Sequence, residues 1–193
     1  FQVIAAEKHA AKHLHLPVQS GSDEILRRMN RRYDTQTYLK KLEAMRRYYP
    51  DIALTSDIIV GFPGETEADF QKTLKLVETV GFDSLFMFIF SPRTNTPAAG
   101  YEGQISQEIK VERFERLLAM QEQISDRKNK KLIGKKLRVL VERFDQKHQK
   151  WNGRDSGVTR VLFAGEENEN LRGRFVDTEI ISAGRHWVTG RRI

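Results

Sequence analysis

Ser56-Asp-Ile-Ile-Val-Gly-Phe-Pro-Gly-Glu65 decides the fold. Its apolar run breaks at Gly61, and Thr66-Glu-Ala-Asp69 follows with the spacing of a capping box, so the segment reads as a buried strand turning into a helix. Leu14-His-Leu-Pro-Val-Gln-Ser-Gly-Ser22 repeats the design with Gly and Ser at the turn, and Ser84-Leu-Phe-Met-Phe-Ile-Phe90 is a third apolar run. Strands are therefore expected over 13–18, 54–60 and 84–90, the last apolar on both faces as a buried parallel strand requires. Helical spacing fills the gaps. One helix is expected over 35–49, with Leu39, Leu42 and Met45 on a face, Asp34 or Thr35 as cap and Pro50 beyond its end. The next starts at Thr66, carries Phe70, Leu74 and Val77, and stops near Gly81. A longer one covers 106–130 with Ile109, Phe114, Leu117, Leu118 and Ile124 along one side, and Arg127-Lys-Asn-Lys-Lys131 reads as a linker. This alternation over residues 1–130 indicates the α/β class, whose parallel strands gather their turns on one ligand-binding face. Phe1, Ile4 and Ala5 are spaced for one helical face, as in a helix entered part-way, so the chain reads as a fragment of a longer polypeptide.

After Gly134 the period changes to two. Leu137, Val139 and Val141 alternate with polar residues, and further strands are expected over 158–163, 174–181 and 187–189, with Gly and Asn at the turns. Residues 132–193 thus form a second domain, a small all-β barrel of a kind that often binds nucleic acid. Charge points the same way: 14 of 33 Lys and Arg but only 8 of 26 Asp and Glu lie from Lys131 onward, so this third holds +6 of the formal +7. A polyanionic partner and a merely solvated basic surface both fit that balance. There are no cysteines, which excludes disulfides, cysteine nucleophiles and thiolate-bound metals within these 193 residues. No apolar run has the length of a membrane span and no signal peptide is visible, so a cytoplasmic protein without membrane contact is expected.

Several side chains are placed for chemistry. Gln19, Ser20 and Ser22 follow a strand end, where they can bind hydroxyls or a carboxylate, or where a serine can simply cap the next helix. Asp57, a carboxylate in a buried strand, needs a partner: a ligand's amine or ribose, or a neighbouring arginine. His13 and His15 point to one side of their strand, and a packed or hydrogen-bonded pair is favoured over a metal site because no third ligand is near in sequence. Arg27, Arg28, Arg31 and Arg32 suit phosphates or a solvated helix end. Arg93, in Ser91-Pro-Arg93, should stand at the mouth of the strand ends, where it suits a phosphate or carboxylate. In the basic third, Trp151, Arg154, Arg160, Phe163, Arg174 and Trp187 mix planar and cationic groups as RNA-binding surfaces do, although some of the aromatics must fill the barrel.

Taken together, His15-Leu-Pro-Val-Gln-Ser-Gly-Ser-Asp23, Met29-Asn-Arg31, Asp57-Ile-Ile-Val-Gly-Phe-Pro-Gly-Glu-Thr66 and Ser91-Pro-Arg93 resemble the radical SAM methylthiotransferases, with Phe90 and Thr94-Asn95 departing from the usual Tyr and Pro-Gly. The resemblance implies that 1–130 is the second half of a partial (β/α)6 radical SAM barrel and that 132–193 is a TRAM domain. Gln19-Ser-Gly-Ser22 and Ser91-Pro-Arg93 look like the branch that methylthiolates C2 of an isopentenylated adenosine beside the tRNA anticodon; the branch acting on an aspartate of a ribosomal protein is the alternative within the family. By this likeness Gln19, Ser20 and Asp57 would hold S-adenosyl-L-methionine, Arg93 would approach the nucleotide, and Arg154 and Arg160 would contact the tRNA anticodon stem-loop. The family also uses two 4Fe-4S clusters held by cysteines, one of them cleaving S-adenosylmethionine to a 5′-deoxyadenosyl radical. With no cysteine here, those ligands would lie in a missing N-terminal half and this piece alone would be inactive. A half barrel should leave a strand edge unpaired and an apolar face open. A cysteine-free RNA-binding module without catalysis is the other reading of the same residues.

Overall fold

The computed structural model describes residues 2–7 and 9–193, and the chain divides into two compact units, one formed mainly by Leu14–Ile124 and the other mainly by Ser125–Ile193. Phe1 lies outside the described residues; a short helix, α1, covers Gln2–Ala6. In the first unit three strands, β1 (His13–His15), β2 (Ala53–Val60) and β3 (Ser84–Ile89), form a sheet in the order β1-β2-β3. β2 and β3 run parallel in the register Asp57 opposite Phe86 and Ile59 opposite Phe88. Helices α2 (Asp23–Arg28), α3 (Thr35–Tyr48), α4 (Glu67–Val80) and α5 (Gln107–Lys130) connect or follow the strands.

Local chemistry sets the boundaries. Asp34 caps α3, the reciprocal Thr66 and Asp69 box opens α4, and Gly81 closes it at φ 63°, a left-handed conformation that glycine adopts without strain. The strand expected over 13–18 is only three residues long. Pro17 has no N–H to give, and the Val18 N–H donates to the Ser56 hydroxyl at 2.9 Å. Parallel pairing resumes for one residue at Gln19, whose N–H donates to the Asp57 carbonyl and whose carbonyl accepts from the Ile59 N–H.

One face of this sheet packs on helices: Leu54, Ile58, Val60 and Leu85 share a core with Leu42, Met45, Phe70, Val77 and Leu117. The other face is open. Phe86 and Phe88 remain 54% and 52% exposed, which corrects the expectation that β3 is buried on both sides. As an edge strand with helices on one side only, β3 keeps alternate residues in solvent. The buried stripe of α5 is also different from its apolar reading. It consists of Lys110, Arg113, Leu117, Gln121 and Ile124, while Ile109 is exposed. Buried polar groups on this helix reach carbonyls left at the sheet and turns: Gln121 donates to Phe82 O at 3.0 Å and Lys110 to Phe90 O at 3.3 Å. Nor is 127–131 a linker, since α5 continues through Lys130.

The second unit is a closed five-stranded barrel of β4 (Lys136–Asp145), β5 (Lys150–Arg154), β6 (Arg160–Phe163), β7 (Phe175–Ala183) and β8 (Val188–Arg192), in the order β4-β5-β6-β8-β7. Val139, Val141, Trp151, Val161, Phe163, Ile180 and Val188 fill it. β5 has no clear apolar alternation in sequence, yet it is needed for closure: a Cβ on Gly153 would lie 2.3 Å from the Leu140 carbonyl oxygen, so only glycine permits this approach of β5 to β4. β6 begins two residues later than expected because Val158 adopts φ 59° in a turn, where Asp155 accepts from the N–H groups of Gly157 and Thr159.

Candidate cofactor face and nucleic-acid interface

In the first unit the turns after β1 and β2 are built on α4. Ser20-Gly21-Ser22 lies directly on the helix: a Cβ on Gly21 would come 2.5 Å from Thr73 Cα, and the Gly21 N–H donates to Thr73 Oγ1 at 2.9 Å. Ser20, fully buried, accepts from the Ser22 N–H at 3.2 Å and lies 3.4 Å from the Thr73 hydroxyl. Its oxygen is engaged within the protein, so Ser20 helps to build the turn. Ser22 is the cap of α2, the structural alternative already visible in sequence.

Asp69 joins the two turns. One carboxylate oxygen accepts from the Ser22 hydroxyl at 2.7 Å and from Lys72 at 3.2 Å; the other accepts from the Thr66 hydroxyl at 2.6 Å and from its N–H. Burial raises the carboxyl's pKa, but the hydrogen bonds from Thr66, Ser22 and Lys72 outweigh it and hold the group at about 2. The capping box announced Asp69 locally; its bond to Ser22, 47 residues away, is a tertiary fact.

Glu65 and Arg113 fix the next turn. Glu65 accepts from the Gly61 N–H at 2.8 Å and from Arg113 at 2.8 Å, and Arg113 also donates to the Glu65 carbonyl. Both side chains are buried, and burial pushes the Glu65 carboxyl above its ordinary value despite the guanidinium. Gly61 and Gly64, at φ 73° and 83°, pass so close to Lys110 and Arg28 that a Cβ would come within 3 Å of either side chain. Sequence reasoning missed Lys110 and Arg113, which sit at helical spacing but among apolar neighbours.

On the open face His15 lies between Thr55 and Asp57. Its Nδ1 is 2.9 Å from Thr55 Oγ1, its Nε2 is 3.3 Å from Asp57 Oδ1, and its ring meets Phe86 edge-on at 5.6 Å. The hydrogen-bonded reading of the histidine therefore holds for His15, and within the protein Asp57 meets this imidazole, not the neighbouring arginine, one of its two expected partners. Asp57 keeps 26% of its side chain exposed beside two exposed phenyl rings. A carboxylate next to flat apolar surface suits a ligand with a hydroxyl or ammonium at one end and an aromatic ring at the other. Gln19 is buried beside Asp57 with its backbone at φ 70°, while Arg93 stands exposed in the segment after β3. The early arginines divide: Arg27 pairs with Glu24, Arg28 donates to the Glu102 carbonyl at 3.2 Å, and Arg31 and Arg32 are exposed. Among the described residues no group of three His, Cys, Asp or Glu is placed to hold a metal ion, and no helix is long and apolar enough to cross a membrane.

In the second unit Arg154 and Arg160 stand opposite each other on β5 and β6. With Glu142, Arg143 and Asn152 they line a concavity of about 260 Å³. They are not equivalent. Arg160 donates to Asp145 at 3.0 Å and to Asn152, and its guanidinium lies 5.3 Å from the Trp187 ring centroid. Arg154 is 55% exposed, with only a 3.7 Å approach to Glu142. Trp151 and Phe163 are core residues, so of the aromatic set only Trp187 stays partly exposed.

A family model of the Radical SAM superfamily matches residues 2–77. The chain is 45% identical over all its 193 residues to a tRNA-2-methylthio-N(6)-dimethylallyladenosine synthase of Symbiobacterium thermophilum, covering 40% of that protein. It is 43% identical over 94% of its length to the enzyme of that name from Caldicellulosiruptor saccharolyticus, and 42% identical over 95% to that from Thermobifida fusca, covering 38% of each. It thus spans about two fifths of the length of the curated relatives it matches.

Proposed function

We propose that this chain belongs to the radical SAM methylthiotransferases and forms the cofactor-positioning and RNA-gripping part of an enzyme that adds a methylthio group to C2 of an isopentenylated adenosine next to the tRNA anticodon. The observation that carries this reading is the identity of 42–45% to enzymes of that name along almost the whole chain, through both units. The first unit is then the second half of a partial (β/α)6 barrel, and its open face is the inside of that barrel. S-adenosyl-L-methionine bound there supplies, on reductive cleavage, the radical that activates C2. Asp57, held by His15, would accept from the cofactor's ribose or ammonium; Phe86 and Phe88 would offer apolar surface to its base; Gln19 would close the end of the face, and Arg93 would approach the substrate nucleotide. The two 4Fe-4S clusters need thiolates, and the sequence has none, so their ligands belong to polypeptide outside these 193 residues. The second unit is a TRAM domain that holds the anticodon stem-loop in the cytoplasm, with Arg154 as its most available phosphate ligand.

The absence of cysteine favours a second reading, an RNA-binding module without catalysis. Deleting the coding segment in its host and measuring tRNA nucleosides by mass spectrometry separates the two. Loss of the methylthio mark with accumulation of isopentenyladenosine is expected; an unchanged methylthio level rules out the enzyme, and loss of methylthiolation from a ribosomal-protein aspartate would instead assign the other branch.

A further inference from the structure

Four side chains align across four neighbouring strands of the barrel. Leu140 on β4 lies opposite Phe175 on β7 and, on its other side, opposite Arg154 on β5, which in turn lies opposite Arg160 on β6. Residues directly opposite in antiparallel pairs share a face. Val139, Val141 and Val161, the neighbours along the strands, turn into the core, so this row runs across the outside.

Its aromatic end lies outside the barrel core. Phe175 is 60% exposed and Leu140 39%, while the core below them is already filled by Val139, Val176 and Ile180. An outward position on a half-solvated strand ordinarily takes a polar residue. Here Arg138, two residues before Leu140 and on the same face, holds its guanidinium 4.8 Å from the Phe175 ring centroid. The other end of the row opens into the arginine-lined concavity. The acids nearby leave a surplus of cation: Glu142 approaches Arg154, Asp145 engages Arg160, and Asp177 stands opposite Arg138, against four arginines including Arg143. A flat exposed ring flanked by guanidinium groups is the combination that single-stranded nucleic acid rewards, through base stacking and phosphate pairing.

We propose that the row Phe175, Leu140 and Arg154, with Arg138, is a contact for unpaired RNA in which one nucleobase stacks on Phe175 and a phosphate of the same strand sits at Arg154. This rests on the reading of the second unit as an RNA-binding domain and assigns the base-contacting residue within it. Two strand spacings of about 4.8 Å separate ring from guanidinium, which keeps both within one short stretch of nucleotides.

The test uses the full chain, a fluorescent single-stranded oligo-uridine, and anisotropy titrations between 50 and 200 mM salt. Phe175→Leu should weaken binding about 10-fold with the salt slope unchanged, because stacking is lost and no charge is removed. Arg154→Ala should weaken binding and reduce the slope by about 1. Phe175→Trp should keep the affinity and add a tryptophan signal quenched by the oligonucleotide, which guards against a folding defect in the leucine variant. If Phe175→Leu binds within twofold of the parent while Arg154→Ala is weakened, the stacking contact is wrong and the RNA reading of the domain stands. If the parent chain does not bind RNA at all, both fall. If poly-glutamate competes as well as RNA of equal charge, the surface is only cationic and the proposal is overturned.

Discussion

Asp69→Asn isolates the group that ties the turn after β1 to the turn after β2. The aspartate is buried and accepts four hydrogen bonds, from Ser22, Lys72 and two atoms of Thr66; an amide of the same shape keeps one acceptor oxygen and loses its charge. The carboxyl is held at about 2 against an ordinary 3.8, and each unit of difference corresponds to about 1.4 kcal/mol, so the charged form contributes about 2 kcal/mol of stability. The folded value is depressed, so this contribution is present above the unfolded value and is lost as pH falls through the folded one. It should stand at about 2 kcal/mol at pH 7, about 1 kcal/mol at pH 3, and near zero below pH 2. Urea unfolding of parent and variant side by side measures it, since the other carboxylates titrate in both and cancel. Both tryptophans, Trp151 and Trp187, lie in the second unit, so their fluorescence reports that unit, whereas circular dichroism at the helical band follows the first. Asp69→Asn should lower the dichroism midpoint. A cost below about 0.5 kcal/mol at pH 7, or one that does not shrink with acid, would refute the argument that Asp69 joins the turns through its charge.

Four further outcomes test the packing around the open face and the barrel. Arg113→Ala leaves a buried carboxylate without its cation and should cost about 3–5 kcal/mol in the same dichroism assay. Glu65→Gln should cost less, and because burial raises the Glu65 pKa, the stability tied to that group is present at low pH and lost as pH rises; the variant should therefore gain on the parent between pH 4 and pH 7 in paired unfolding curves. Gly21→Ala, which forces a methyl against the α4 backbone, should lose about 1–3 kcal/mol and lower the dichroism midpoint; an unchanged midpoint would mean that the turn does not lie on α4. Arg160→Ala should shift the tryptophan emission by uncovering Trp187, whereas Arg154→Ala should leave the spectrum unchanged.

Where local chemistry decides, the sequence was sufficient. The Thr66 and Asp69 box, the Asp34 cap, the stop at Gly81 and the alternation of Leu137, Val139 and Val141 each depend on residues a few positions apart, and each appears where expected. The motifs from His15 to Arg93 also pointed, from the chain alone, to the proteins with which it shares 42–45% identity. β5 stayed hidden because Trp151-Asn-Gly-Arg154 has little alternation and acquires strand character only between β4 and β6. The charged stripe of α5 was illegible for a similar reason: whether Lys110, Arg113 and Gln121 face solvent or the core depends on which carbonyls and carboxylates await them, and those come from residues 65, 82 and 90.

The site shows the same division. Sequence determined which residue types stand at the strand ends and on the basic strands, because composition and spacing are properties of the chain. Tertiary structure decided their roles. It engaged the oxygens of Ser20 and Ser22 within the protein, paired Asp57 with His15, separated the anchored Arg160 from the exposed Arg154, and set Phe175 in line with it. Each of these depends on contacts between residues far apart in sequence, and a side chain's chemistry is settled by what remains unsatisfied after such contacts form.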